Sequence, residues 1–80
     1  LPFHELVHAI QWRILGADRF LLAYALGHLA GGGYANNPFE EVAHALEEMF
    51  VREPRLFRVE PIVGQHLERV LPSLLKAAGL

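Results

Sequence analysis

His4 and His8 are the residues whose types and spacing best suit chemistry. They belong to the segment His4-Glu5-Leu6-Val7-His8, which matches the pattern H-E-x-x-H. On a helix, residues four apart share one face with about 5–6 Å between their Cβ atoms, so both imidazoles can reach one metal ion. Glu5, between them, can accept the proton of a zinc-activated water. The segment predicts a zinc site; the alternative is an amphipathic helix with two surface histidines and a solvated glutamate.

Two helices are predicted in the first part of the chain. The first covers residues 3–15, because Pro2 suits a helix start and Gly16 a helix end. Its apolar residues form one stripe, and the two histidines of the motif flank that stripe. The second helix covers residues 19–30, with Asp18 as its N-cap. It is apolar almost all round, so we expect it to be central in the fold.

A third helix has the clearest start signal in the sequence. Asn37 is predicted as its N-cap and Pro38 as its first residue, with Glu40 three positions after the cap. This order is a variant capping box, in which Glu40 would only cap its own helix. Pro54 predicts a break after this helix.

A fourth helix is predicted to open at Pro61. Pro72 should end or kink it, with Ser73 capping a last turn. Together these elements predict an all-α fold of about four helices.

Composition excludes several classes of function. Eighty residues form one domain with a small core, so a metal, a partner chain or further sequence would stabilise it. A net charge of −2 gives no electrostatic case for nucleic acid. The absence of cysteine excludes thiolate zinc sites and cysteine nucleophiles but leaves the compartment open. The sequence has no signal peptide and no apolar run of the ~20 residues that a membrane span needs.

The order of these segments resembles the gluzincin metallopeptidases, especially their minimal forms. His4-Glu5-Leu6-Val7-His8, a connecting helix and Asn37-Pro38-Phe39-Glu40-Glu41-Val42-Ala43 look like the family's H-E-x-x-H and its downstream N-P-x-E-x-x-A segment. The resemblance covers about the first half of the chain. It implies that zinc binds His4, His8 and Glu40, that Glu5 polarises the attacking water, and that the substrate is a peptide or protein. The family also has strands before the motif, and this sequence departs from it because no such strands are present, so we expect a zincin-like helical core without the upstream sheet.

Two positions near the start of the third helix leave the zinc ligands and their hydrogen-bond partners open. The family usually has Asp after the alanine of the second motif, where this chain has His44. A neutral imidazole can accept a hydrogen bond from a ligand's other ring nitrogen, so we expect His44 to orient a ligand histidine or to be a ligand itself. Glu41 competes with Glu40 as the third ligand, because a helical wheel does not separate the two.

Three further polar residues have weaker claims to a role. Tyr34 follows Gly31-Gly32-Gly33, and its hydroxyl is a candidate to stabilise an oxyanion; the alternative is a packing role. His28 is predicted to be structural and His66 to be a surface residue.

These observations predict one domain over residues 1–80, either complete or a fragment of a longer chain. Its predicted function is zinc-dependent hydrolysis of peptide bonds. One alternative is a zinc-binding module without catalysis. Another is a metal-free helical interaction domain, whose apolar surface is covered by a second copy of the chain or by an upstream segment.

Overall fold

The computed structural model describes residues 2–52 and 58–79, which form four α-helices and a short 3₁₀ turn. Helix α1 spans Phe3–Leu15, α2 spans Ala17–Gly31, α3 spans Pro38–Arg52 and α4 spans Val59–Ala77. The 3₁₀ turn, Tyr34–Asn36, joins α2 to α3. No strand occurs within these two ranges, so the predicted all-α class with about four helices is confirmed. The predicted break at Pro54 lies outside the described residues.

A single glycine separates α1 from α2. Gly16 has a φ of +83°, a conformation that glycine adopts without steric cost, and its N–H donates to the carbonyl of Trp12 at 2.7 Å. The carbonyl of Gly16 then accepts the first hydrogen bond of α2, from the N–H of Phe20 at 2.9 Å. The prediction that Asp18 is the N-cap was therefore wrong. Because glycine turns the chain at once, the helix begins before Asp18, which lies in its first turn.

The core draws on all four helices. Among the described residues, its central cluster contains eight buried apolar residues: Val7, Ala23, Phe39, Ala43, Leu46, Val63, Leu67 and Leu74. Three of these come from α3 and three from α4, whereas α1 and α2 contribute one each.

Helix α2 is not the central helix that its composition predicted. Leu21, Leu22 and Leu29 are 56%, 58% and 77% exposed, so one of its faces points away from the rest of the fold. An all-apolar helix has no polar stripe to fix its orientation, and here only the face with Phe20, Ala23 and Gly27 is buried.

Helix α4 is longer than predicted at both ends. It begins at Val59, so Pro61 lies in its first turn, where a missing N–H breaks no intrahelical bond. It also continues through Pro72 to Ala77, so the helix does not end at Pro72 and Ser73 is not a cap; the other predicted effect of Pro72, a kink, stays a prediction. A proline inside a helix costs about 3 kcal/mol. Burial of Leu67 and Leu74, on either side of it in the sequence, offsets that cost at about 1.5–3 kcal/mol each.

Among the described residues, none of the helices combines the length and apolar character that crossing a membrane requires, in agreement with the prediction of no membrane span.

Candidate metal centre

Helix α1 brings the two histidines of the motif together. Val7, which lies between them in sequence, is completely buried, so the helix must turn this face toward the core. His4 and His8 then lie one turn apart at the edge of the buried face, with side chains 14% and 17% exposed. Their ring centroids are 4.7 Å apart, in an edge-to-face arrangement.

The start of α3 is anchored against α2. The buried side chain of Asn37 accepts a hydrogen bond from the N–H of Phe39 at 3.0 Å, which confirms Asn37 as the cap. Its amide also donates to the carbonyl of Tyr24 at 3.0 Å, and this bond ties the cap to α2. Gly27 makes the contact possible, because a Cβ there would lie 2.9 Å from Oδ1 of Asn37. The first turn of α3, including Glu40, is thereby held beside α2.

Glu40 meets both histidines. Its Oε1 lies 2.8 Å from Nε2 of His4 and 2.8 Å from Nε2 of His8, and the two nitrogens are 3.1 Å apart. In a tetrahedral zinc site with ligand distances of about 2.0–2.1 Å, neighbouring ligand atoms are about 3.3–3.4 Å apart. The three atoms would have to separate by only about 0.5 Å to surround such an ion.

Gln11 determines which nitrogen of His8 carries a proton. The amide nitrogen of Gln11 donates to the carbonyl of Phe39 at 3.3 Å, so its Oε1 faces Nδ1 of His8, at 2.8 Å. An amide oxygen only accepts, and Nδ1 must therefore be the protonated nitrogen. The lone pair of neutral His8 is then on Nε2, the atom that faces Glu40.

This tautomer makes a cation favourable between His8 and Glu40. Nε2 of neutral His8 and the carboxylate oxygen are both acceptors, yet they lie 2.8 Å apart. A proton on Nε2 of His4 can form a hydrogen bond with Nε2 of His8 or with Oε1 of Glu40. It cannot relieve the repulsion between those two atoms. A divalent ion or a second proton on His8 would relieve the repulsion, and imidazole and carboxylate are ordinary zinc ligands. The donor atoms and the tautomer therefore fit zinc.

Tyr24 holds the other oxygen of Glu40. Its hydroxyl donates to Oε2 in a short hydrogen bond, which leaves Oε1 to the histidines. Burial, together with the hydrogen bond and the charge of Glu40, raises the pKa of Tyr24 from 10.0 to about 12. The hydroxyl thus remains a donor throughout the physiological pH range.

The carboxyl group of Glu40 is held in its charged form. Burial by itself would raise its pKa, but the hydrogen bond from Tyr24, followed by the contacts with His4 and His8, outweighs burial and lowers the pKa below 4.5. Both of its oxygens contact side chains of other helices, so Glu40 does not act as the simple cap of its own helix. Glu41, the alternative ligand, is exposed to solvent.

Glu5, the predicted base, and Tyr34, the predicted oxyanion donor, are both exposed to solvent. Desolvation, then the charge of Glu40 and a hydrogen bond to it, and then the charge of Glu5 raise the pKa of Tyr34. The hydroxyl of Tyr34 lies 3.4 Å from Nε2 of His44, whose ring contacts that of His4, so Tyr34 lies near the ligand group.

His44 lies beside the centre. Its ring contacts that of His4, with centroids 4.5 Å apart, and its Nε2 is 3.4 Å from the hydroxyl of Tyr34. The hydrogen bond that orients the ligand histidine His8 is donated by its Nδ1 to Oε1 of Gln11. Among the described residues, the other two histidines do not belong to the ligand group. His28 is exposed on α2, and His66 is half-buried on α4, where Nδ1 is buried without a hydrogen-bond partner.

Two residues of this centre, Gln11 and Tyr24, could hardly be predicted from sequence. Gln11 follows His8 by three positions and so shares its face, a spacing that could have suggested an orienting amide. Tyr24 belongs to the apolar run of α2 and looked like a core residue. Nothing in that run indicated which side faces α1.

Neither a protein-family model, nor a curated protein, nor a solved structure matches this chain.

Proposed function

We propose that this chain binds zinc through His4, His8 and Glu40 and uses it to hydrolyse peptide bonds. The observation that carries the proposal is the meeting of three ligand atoms from two helices at separations of 2.8–3.1 Å. Two imidazoles and one carboxylate form the ligand set of several zinc peptidases, and three protein ligands leave a fourth position free. The H-E-x-x-H motif supplies the base that such chemistry needs.

The residues around the ligands have separate tasks in this proposal. When bound, zinc supplies a Lewis acid that polarises a carbonyl group and acidifies water. Glu5 accepts the proton of the attacking water. Tyr34 donates its hydroxyl proton in a hydrogen bond to the oxyanion. Gln11 and Tyr24 hold His8 and Glu40 in place and remain hydrogen-bonded throughout.

A second candidate is a zinc-binding module without catalysis. The described part of the chain has no strand that could pair with an extended peptide, and the three ligands join α1 to α3 in a domain with a small core. In this case zinc serves folding, and its removal melts the domain while no peptide is ever cleaved.

The metal content of the purified protein tests zinc binding. We expect about one zinc per chain by elemental analysis, lost in Glu40→Ala and kept in Glu41→Ala, the exposed neighbour. Loss of metal in Glu41→Ala but not in Glu40→Ala would refute the ligand assignment. Absence of zinc after incubation with a stoichiometric amount would favour the metal-free interaction domain.

Hydrolysis is tested with a quenched fluorescent casein. Glu5→Gln should keep its zinc and lose turnover by at least ~100-fold, the lower range for general-base catalysis. The control is Glu68→Gln, the same substitution at an exposed position on α4. A zinc-loaded wild type that cleaves nothing, but whose thermal unfolding midpoint falls on chelation, would identify the non-catalytic module.

A further inference from the structure

A second group of ligand-type side chains lies beside the proposed zinc site. It consists of His44 and Glu47 on α3 and His4 on α1, and one ligand atom of each lies within 4.8 Å of the others. His44 and Glu47 are one helical turn apart, with 3.8 Å between Nδ1 and Oε1. Their side chains are 53% and 42% exposed, so this group opens directly to solvent.

The surroundings of His44 assign different roles to its two ring nitrogens. Nε2 lies 3.4 Å from the hydroxyl of Tyr34, while Nδ1 faces Glu47. When the hydroxyl accepts a proton from Nε2, the lone pair is on Nδ1. A metal at Nδ1 would thus have an orienting partner on the opposite side of the ring, as ligand histidines usually have.

The second group differs from the first in spacing and burial. In the second group, Nδ1 of His44 and Oε1 of Glu47 are 3.8 Å apart, against 2.8–3.1 Å between the ligand atoms of the first group. An ion must draw these side chains inward and order two exposed ones, which costs conformational entropy. Its affinity should therefore be the lower of the two.

We infer that His44, Glu47 and His4 form a second, weaker zinc site, and that its occupation by excess zinc inhibits the protein. The inhibition follows because His4 belongs to both groups. An ion at the second site therefore competes for His4 with the ion at the first site. This regulatory part rests on the proposed function. The binding part rests only on the second group of side chains.

Equilibrium dialysis over a series of zinc concentrations tests the second site. Wild type should bind a first zinc at low concentration and a second at higher concentration. The second step should disappear in His44→Gln and in Glu47→Gln, and should persist in two matched controls, His28→Gln and Glu48→Gln, whose positions are exposed. A second step that survives His44→Gln, or a wild type that never exceeds one zinc per chain, would overturn the inference.

The same series separates this inference from the proposed function. Glu40→Ala should abolish the first step and leave the second. If both steps were unchanged in Glu40→Ala, the proposed function would fail while the second site stood. In the casein assay, the ratio of the rate at excess zinc to the rate at stoichiometric zinc should be well below one for wild type and near one for Glu47→Gln. Equal ratios in the two proteins would overturn the regulatory part.

Discussion

Gln11→Met is the substitution that most directly tests how the metal centre is held. Methionine has nearly the length and volume of glutamine but cannot accept the proton of His8, so a completely buried position stays filled while one hydrogen bond of 2.8 Å is lost. The other bond of the amide, to the carbonyl of Phe39, is also lost. That carbonyl lies within α3, so the helical hydrogen bond remains available to it.

The expected loss follows from the tautomers of His8. Without Gln11, the neutral ring can move its proton to Nε2 and donate to Oε1 of Glu40, 2.8 Å away. That change stabilises the metal-free state and removes the lone pair that zinc needs. Loss of such an outer partner typically costs 10–100-fold in metal affinity, which corresponds to about 1.4–2.8 kcal/mol. Stability without zinc should fall by only about 1 kcal/mol, because the amide loses two hydrogen bonds and His8 gains one with Glu40, a net loss of one.

Competition with a chromophoric chelator at fixed pH measures the zinc dissociation constant. Gln65→Met, on the exposed surface of α4, is the control for the same change of side chain. Nitrogen-15 NMR of the metal-free protein reports the tautomer: we expect the proton on Nδ1 in wild type and on Nε2 in Gln11→Met. A zinc affinity for Gln11→Met within twofold of wild type would refute the argument.

Three further predictions concern residues around the centre and in the core. Tyr24→Phe removes the hydroxyl that holds Oε2 of Glu40, so zinc affinity should fall about tenfold in the chelator assay, and no change would rule out a positioning role. Gly27→Ala should lower the free energy of unfolding by about 1–3 kcal/mol in urea titrations, because the new Cβ lies 2.9 Å from a buried amide oxygen. Gly64→Ala, where the new Cβ meets nothing within 4 Å, is the control and should raise the free energy of unfolding by up to about 1 kcal/mol. A similar effect of the two substitutions would contradict the close packing of Gly27 against Asn37. Burial, with a smaller contribution from a nearby arginine, lowers the pKa of His66, so only the unfolded chain takes up this proton as the pH falls through 6.5. Without metal, the increase in the free energy of unfolding of His66→Leu over wild type should therefore be constant above about pH 7 and grow toward pH 5. An increase that does not depend on pH would be evidence against this account.

The fold class and the start of α3 could be predicted because they depend on local signals. Asn37 and Pro38 form a cap whose hydrogen bonds involve only neighbouring residues, and the structure has that cap. The end of α4 depends instead on tertiary packing. Pro72 opposes helix locally, but the buried side chains around it offset its cost. Only the packed structure reveals that balance.

The part of the candidate centre that depends on the spacing of residues along the sequence could be predicted. His4 and His8 share a face because they are four residues apart, and any helix would bring them together. The choice of Glu40 over Glu41 depends on how α3 is rotated against α1 and α2. That rotation is set by the docking of Asn37 beside Gly27, a contact across elements that no local pattern reports. The position of Tyr24 depends on the same packing.

Each ligand of the candidate centre is adjacent in sequence to the core or lies within one turn of it. Val7 directly precedes His8, and Phe39 directly precedes Glu40; both of these apolar residues are completely buried. The rotation of each helix about its axis is therefore fixed by burial, and the same rotation aims its ligands. If zinc binds as we propose, it joins α1 to α3 only in the folded chain and stabilises that chain by about 2.7 kcal/mol at one hundred times its dissociation constant. A domain of 80 residues has an expected stability of a few kcal/mol, so this contribution would be a large part of it. Under this proposal packing and metal binding are coupled, and a loss in either weakens the other.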